Sequence, residues 1–211
     1  MQSFKIFVVL LFFINPVMVE ARPVSYPGGW TAMGQVTEEE YSLHTHYSPM
    51  AKYSIGMRNE LFHKDDIQMH SMQLNYLVKR WNNRDSQANF YSKNGVGFAK
   101  DNNDSSVSGF TGLALDWETR RYFTSYENRY IHAGDMMTKF SQSARLGVAP
   151  YIGYFGDVHT WMMVQVDHEP KNVDNDHYRV TPLIRLFYDT HLLETGYSDN
   201  DQLMINYVRR F

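Results

Sequence analysis

Apolar and polar residues alternate along most of this chain from Gly28 onward, in segments of about 9–14 residues. The alternation is clearest between residues 69 and 81, where the two sets are Met72, Leu74, Tyr76, Val78 and Ser71, Gln73, Asn75, Lys79. Successive side chains of a β-strand point to opposite faces, so each set forms one face of a strand. Clusters of Asn, Asp, Gly, Ser and Pro separate the segments. The pattern therefore predicts an all-β protein built from antiparallel strands.

The segments give twelve predicted strands, with ten as the alternative. The twelve cover residues 28–36, 41–48, 50–61, 67–81, 86–99, 107–117, 120–132, 138–150, 156–168, 177–189, 191–198 and 202–211. An even number of antiparallel strands places both chain ends at the same edge of the sheet and sorts the connections into two sets. Short turns are expected at residues 48–49, 82–85, 118–119, 151–155 and 190. Longer loops rich in Asp and Asn, at 100–106 and 169–176 among others, are expected at the opposite edge.

The first 21 residues have the three parts of an export signal. Lys5 supplies the positive region, residues 6–14 form an apolar run, and Val19 and Ala21 place small residues before a cleavage site at Arg22. The run is broken at Asn15 and is too short for a membrane anchor. We expect residues 1–21 to be a cleaved signal peptide and residues 22–211 to form one domain.

Composition narrows the function classes. The net charge of −3 is unchanged by cleavage, because Lys5 and Glu20 leave together, and it argues against a nucleic-acid partner. The chain has no cysteine, which excludes a fold held by disulfides. Alternation with this composition is compatible with a soluble β-sandwich, a lipocalin-like barrel or a transmembrane barrel.

The C-terminus favours the transmembrane barrel. Leu203, Ile205, Tyr207 and Phe211 share one face of the last predicted strand, and phenylalanine ends the chain. This pattern resembles the C-terminal signature of Gram-negative outer-membrane β-barrel proteins, with Arg209 at a position where that signature is usually apolar or aromatic. The resemblance implies an antiparallel transmembrane β-barrel in the outer membrane, in contact with its lipid. It also implies that the barrel assembly machinery recognises the chain through Tyr207 and Phe211.

Aromatic residues make up 15% of the chain, and many lie near predicted strand ends, as in the girdles that flank a membrane. The candidates are Trp30, Tyr41, Tyr53, Trp81, Trp117, Tyr122, Tyr130, Tyr178, Tyr197 and Tyr207. Aromatic residues also favour strands in general, so this enrichment supports the barrel without deciding it.

In a barrel, the polar strand faces become the lumen. The predicted lumen residues are Lys52, Arg58, Glu60, Lys79, Glu127, Arg129, Arg145, Arg179, Arg185 and Glu194, and Asp167 and Arg210 share those faces. Basic residues are in excess in this set. Such charges either pair laterally and fill a structural barrel or line a channel for small polar or anionic solutes. Small twelve-stranded porins for acidic sugars are similar in size and basic lining.

Catalytic and metal sites are further alternatives. A lipid-modifying hydrolase needs a serine with a nearby base, but adjacent His70 and Ser71 point to opposite faces, and the chain contains neither G-x-S-x-G nor H-E-x-x-H. His44 and His46 share a face and offer two ligands to copper, nickel or zinc. Two ligands do not make a site. We expect no cofactor, and a non-transporting structural or surface-interaction barrel is the main alternative to a channel.

Overall fold

The computed structural model describes residues 23–154, 156–171 and 175–211, so the predicted signal peptide lies outside the described residues. The described residues form twelve strands, numbered in chain order: β1 (Gly29–Val36), β2 (Glu40–Met50), β3 (Tyr53–Phe62), β4 (Ile67–Asn82), β5 (Ser86–Lys100), β6 (Ser105–Thr119), β7 (Tyr122–Ala133), β8 (Met137–Val148), β9 (His159–Lys171), β10 (Asn175–Tyr188), β11 (His191–Tyr197) and β12 (Leu203–Arg210). Among the described residues, no helix is long and apolar enough to cross a membrane.

The sheet closes on itself. Each strand pairs antiparallel with its neighbours in sequence, and β1 also pairs with β12 in a ladder that runs from Thr31 opposite Arg210 to Val36 opposite Ile205. A closed barrel leaves no strand edge with unpaired backbone groups. The prediction of a twelve-stranded antiparallel barrel is confirmed.

The first described residues and Phe211 lie at one end of the barrel, here called the terminal end; the other is the distal end. The longest connection between strands, residues 149–158, lies at the terminal end, and the distal connection at 101–104 is short. The prediction of short turns at the terminal end and long loops at the distal end is therefore wrong for these two connections. Lys100, Ser105 and Ser106 belong to the ends of β5 and β6, and residues 169–171 and 175–176 belong to the ends of β9 and β10.

Side chains alternate between the interior and exterior of the barrel, as the sequence pattern predicts. In β4, Ser71, Gln73 and Asn75 are buried inside, whereas Met72 is 63% exposed and Tyr76 39% exposed outside. The charged and amide side chains thus point inward while the outer wall is mainly apolar. This is the distribution expected of a barrel surrounded by hydrocarbon.

The aromatic residues predicted for the girdles are largely on the outer surface. All except Tyr53, which is half-buried, are exposed: Trp30, Tyr41, Trp81, Trp117, Tyr122, Tyr130, Tyr178, Tyr197 and Tyr207. Their positions near strand ends place amphipathic rings at the two rims of the apolar wall.

The interior is not uniformly polar, contrary to the prediction. One apolar cluster near the distal end contains Phe62, Ile67, Met69, Ala99, Phe110, Ile131, Ala133 and Met137. Two smaller clusters nearer the terminal end contain Val24, Leu77, Tyr91, Ala114 and Phe123, Met163, Leu183, Met204. These side chains fill part of the barrel and confine the charged residues to the remaining space.

Candidate functional site in the barrel interior

A cavity of about 310 Å³ lies inside the barrel, between Glu39 and Arg179 at the distal end and Pro23 toward the terminal end. Basic and acidic side chains line it together: Arg58, Lys93, Arg129, Lys139, Arg145, Arg179 and Arg185 with Glu39, Glu40, Asp116, Glu127, Asp167 and Glu169. The basic excess predicted from the sequence is reduced in this lining to seven basic against six acidic side chains. Its two charge signs nearly balance.

Glu60, on β3, is the centre of the first ion-pair cluster. Its carboxylate is inaccessible to solvent and accepts a hydrogen bond of 2.7 Å from Nε of Arg58. Arg129 donates to both carboxylate oxygens, Nη2 to Oε2 at 2.7 Å and Nη1 to Oε1. Because β3 and β7 are four strands apart, this bidentate pair crosses the lumen and ties two distant walls together.

Glu194, on β11, is the centre of a second cluster. It accepts from Nε of Arg185 at 2.6 Å, from Nη1 of Arg145 at 3.2 Å and from Nδ2 of Asn206 at 2.7 Å. The Glu194 side chain is fully buried and that of Arg185 is 6% exposed. The Arg185 guanidinium also lies 4.7 Å from the ring centroid of Phe123, so apolar contacts help to hold the cluster.

Eight of the ten predicted lumen residues lie in the interior: Arg58, Glu60, Glu127, Arg129, Arg145, Arg179, Arg185 and Glu194. They belong to several networks. In addition to the two clusters, Glu127 accepts from Lys93 at 2.6 Å, and Arg179 Nε lies 3.5 Å from Oδ2 of Asp167. Lysine and arginine atoms along the cavity are thus paired with carboxylates, which limits the charge that the cavity presents to a solute.

Lys52 and Lys79 lie elsewhere, and their assignment to the lumen is wrong. Lys52 is in the exposed turn between β2 and β3, because β2 continues past Pro49 to Met50 through an irregular register. A bulge between Leu77 and Lys79 adds one residue to β4 and reverses the alternation after it. Lys79 therefore lies over the outer face, 5.0 Å from the ring centroid of Trp81.

Several interior charges were missed by the sequence reasoning. Arg80 takes the inward position after the bulge and donates to Asn89 at 2.6 Å. Lys93 and Lys139 lie on inward faces of regular strands, and the same alternation would have identified them. Glu40 lies 3.5 Å from Arg58, at the first position of a strand that was predicted to begin one residue later.

Glu39, in the β1–β2 connection, bridges the distal mouth of the cavity. Its carboxylate lies 3.1 Å from Lys64 Nζ, 3.4 Å from Arg179 Nη1 and 4.0 Å from Lys139 Nζ. Burial acts to raise the pKa of Glu39, but the positive charges of Arg179, Lys139 and Lys64 outweigh it and lower the pKa below its ordinary value. The carboxylate thus stays charged at neutral pH and holds three elements of the mouth together.

Residues 23–25 turn into the barrel at the terminal end and form what is here called the N-terminal plug. The carbonyl oxygen of Pro23 accepts hydrogen bonds from Ser54 Oγ at 2.7 Å and Asn75 Nδ2 at 3.1 Å. The backbone N–H of Ser25 donates to Ser48 Oγ at 2.9 Å. Val24 is 3% exposed and packs in an apolar cluster on the inner wall. The segment obstructs the terminal side of the cavity, and no sequence pattern predicted it.

His44 and His46 are both buried in the interior, with ring centroids 4.8 Å apart. Nε2 of His44 and both ring nitrogens of His46 have no hydrogen-bond partner among the described residues. Residues 23–154, 156–171 and 175–211 contain no group of three or more His, Cys, Asp or Glu side chains placed to hold a metal ion.

The other predicted residues of interest lie on the outer wall. Tyr207 and Phe211 are exposed, and Nδ1 of His191 lies 2.6 Å from the hydroxyl of Tyr207. His191 therefore faces away from Glu194 and Ser198, which are buried inside.

The structure resembles that of the KdgM porin, with a TM-score of 0.51 and 9% sequence identity over 87% of this chain and 98% of that one. The porin in complex with disordered oligogalacturonate gives a TM-score of 0.50 and 8% identity over the same shares of both chains. The fold is that of a small porin. At these identities the likeness shows the fold alone. No protein-family model and no curated protein sequence matches the chain.

Proposed function

We propose that this protein is an outer-membrane channel for the passive passage of small polar solutes, including anionic ones. The observation that carries the proposal is the cavity between Glu39 and Pro23, which is lined by polar and charged side chains inside an apolar wall. A polar lumen within a wall of exposed Met, Leu, Val and Tyr side chains suits a barrel that spans a bilayer. The shared fold with a porin whose structure contains oligogalacturonate supports this function.

Guanidinium groups are the features of the cavity best suited to an anionic solute. Arg58 and Arg145 use some of their donors on Glu60 and Glu194, while about a fifth of each side chain remains exposed. A guanidinium has five N–H donors, so such a residue can bind a buried carboxylate and still donate to a passing carboxylate or hydroxyl. The nearby acidic groups will keep the preference for anions weak.

A structural barrel that passes no solute is the second candidate. It is favoured by the ion pair between Arg129 and Glu60, which crosses the lumen, and by the N-terminal plug. Together with three apolar clusters, these elements border a cavity of only about 310 Å³. The two functions share one fold and one proposed location, in contact with outer-membrane lipid after insertion by the barrel assembly machinery through Tyr207 and Phe211.

Single-channel recording separates the two candidates. The refolded chain, residues 22–211, is expected to give small, discrete conductance steps in planar bilayers, with reversal potentials in a salt gradient that indicate weak ion selectivity. The reason is the near balance of basic and acidic lining residues. Correctly folded protein, identified by heat-modifiable gel migration, that inserts without any conductance steps would contradict the channel and favour the structural barrel.

Substitution of Glu39 is expected to widen the distal mouth. Glu39→Gln removes the charge that attracts Lys64, Lys139 and Arg179, so those side chains can separate and conductance at neutral pH should rise. Because the folded-state pKa of Glu39 is lowered, the native contacts persist above its ordinary pKa and weaken as the pH falls through the lowered value. The native channel should therefore gain conductance in acid.

The Glu39→Gln channel is expected to lack this increase in conductance at acidic pH. Lys64→Gln is the matched control, because it removes one exposed partner and leaves Glu39 paired with Arg179. Identical acid responses of native and Glu39→Gln channels would show that Glu39 does not control the mouth.

A further inference from the structure

The outer wall carries a group of uncharged or weakly basic polar side chains on five neighbouring strands, and all but His168 lie near the middle of their strands. We call this group the exterior polar patch; it consists of Ser92, Asn94, Thr111, Asn128, Gln142 and His168. The register aligns Ser92 with Leu113, Leu113 with Asn128, Asn128 with Gln142 and Gln142 with His168. Residues opposite one another in a sheet share a face, and Leu113 is 41% exposed on the outside.

Hydrogen bonds join the patch into two runs. Thr111 Oγ1 donates to Asn94 Oδ1 at 2.8 Å, and Asn94 Nδ2 donates to Ser92 Oγ at 2.9 Å. On the other side, the hydroxyl of Tyr126 donates to Gln142 Oε1 at 2.8 Å, and Gln142 Nε2 lies 2.7 Å from His168 Nδ1. The patch thus spans five strands, from β5 to β9.

Such a patch is unfavourable against hydrocarbon. An amide nitrogen has two hydrogens, and each contact of Asn94 or Gln142 described above uses one of them. Acyl chains have neither donors nor acceptors, so they cannot form a hydrogen bond with the second. Exposed apolar side chains surround the patch, with Val96 at 61% and Leu146 at 67% exposure. The patch therefore lies within the apolar wall and needs a cover that can form hydrogen bonds.

Two small residues border the patch on the outer face. Gly109 lies next to Thr111 along β6, and Ala144 lies next to Gln142 along β8. Small residues let two membrane-embedded elements approach closely, and Ser, Thr, Asn, Gln and His can then form hydrogen bonds between them.

We propose that the exterior polar patch is the interface between two copies of this chain in the membrane. Asn and Gln amides both donate and accept, so the patch is complementary to itself across a twofold axis, as an isologous interface requires. An anionic lipid headgroup would need lysine or arginine, and the patch contains neither. The inference rests on the proposed insertion into a bilayer.

The experiment uses residues 22–211 refolded into phosphatidylcholine vesicles. Since the chain has no cysteine, Thr111→Cys introduces a single thiol into the patch, and oxidation is expected to link two copies. Thr195→Cys, on the exposed outer face of β11 away from the patch, is the control and should link far less. The dimer fraction is measured independently by analytical ultracentrifugation in detergent over a range of protein-to-detergent ratios.

The triple variant Asn94→Leu, Asn128→Leu, Gln142→Leu is expected to shift the monomer–dimer midpoint by about tenfold or more toward monomer. Thr195→Leu should not shift it. Native protein that floats with the vesicles as a monomer, with Thr111→Cys unlinked, overturns the interface and leaves the proposed channel standing. Protein that does not float with vesicles contradicts the proposed channel itself. A triple variant that dimerises like the native chain also overturns the interface.

Discussion

Glu194→Gln is expected to lower the free energy of unfolding by about 3–5 kcal/mol. The native carboxylate is fully buried and pairs with Arg185, which is 6% exposed, and with Arg145. Glutamine has nearly the same shape but no charge, so both guanidinium groups would remain in the interior without the counter-charge of Glu194. The loss arises from this missing counter-charge more than from a missing hydrogen bond.

The measurement is urea unfolding in lipid vesicles, followed by tryptophan fluorescence. Glu127→Gln is the matched control, since Glu127 also pairs with a cation inside the barrel but its side chain is 45% exposed. Its loss is expected to stay within about 1 kcal/mol. Adding Arg185→Gln to Glu194→Gln removes one of the two cations that Glu194 neutralises, so the double variant should be no less stable than Glu194→Gln alone. Strictly additive losses would contradict this account of the cluster.

The strands of this barrel were predictable because the two faces of each strand have different surroundings. One face meets an apolar environment and the other meets the barrel interior, so apolar and polar residues alternate with a period of two. In β4, Met72, Leu74 and Tyr76 lie on one face and Ser71, Gln73 and Asn75 on the other. The same alternation placed Arg58, Glu60 and Glu194 inside. The C-terminal pattern then favoured a barrel over a sandwich.

The features that this alternation does not predict depend on local irregularities of the strands and on how the sheet curves into a closed barrel. A single extra residue at the β4 bulge moved Lys79 to the outside and Arg80 to the inside. The pairing of Glu60 with Arg129 joins residues 69 positions apart, and only the curvature of the barrel brings them together. Local periodicity contains no information on either feature.

The predicted charge of the interior was wrong for a related reason. The predicted lumen set contained Lys52 and Lys79 in place of Lys93 and Lys139, so its number of basic residues was nearly right. The set lacked Glu40 and Glu169, so it contained too few acidic residues. The predicted basic excess therefore arose because acidic residues were missing from the predicted set. The preference for anions has to be argued from exposed guanidinium groups instead of from net charge.

Deletion of residues 22–25 is expected to raise single-channel conductance several-fold. The N-terminal plug lies inside the terminal side of the cavity, where Val24 packs against the inner wall and Pro23 accepts hydrogen bonds from Ser54 and Asn75. Its removal takes no hydrogen bond from the strand ladders, since β1 begins at Gly29. The barrel should therefore remain folded, as gel migration and circular dichroism will show.

A disulfide can test whether the plug leaves the lumen in the native channel. Cysteines at positions 25 and 48 would be the only two in the chain, and the N–H of Ser25 lies 2.9 Å from Ser48 Oγ, so the side chains are close enough to be joined. If the native plug moves, oxidised Ser25→Cys, Ser48→Cys protein should conduct less than the same protein after reduction, and each single variant should be insensitive to reductant. If the plug is permanently seated, oxidation changes nothing while deletion still raises conductance.

A deletion variant that is folded and conducts like the native chain would show that solutes pass beside Pro23 and Val24, and that the narrowest point lies instead where Arg129 and Glu60 cross the lumen.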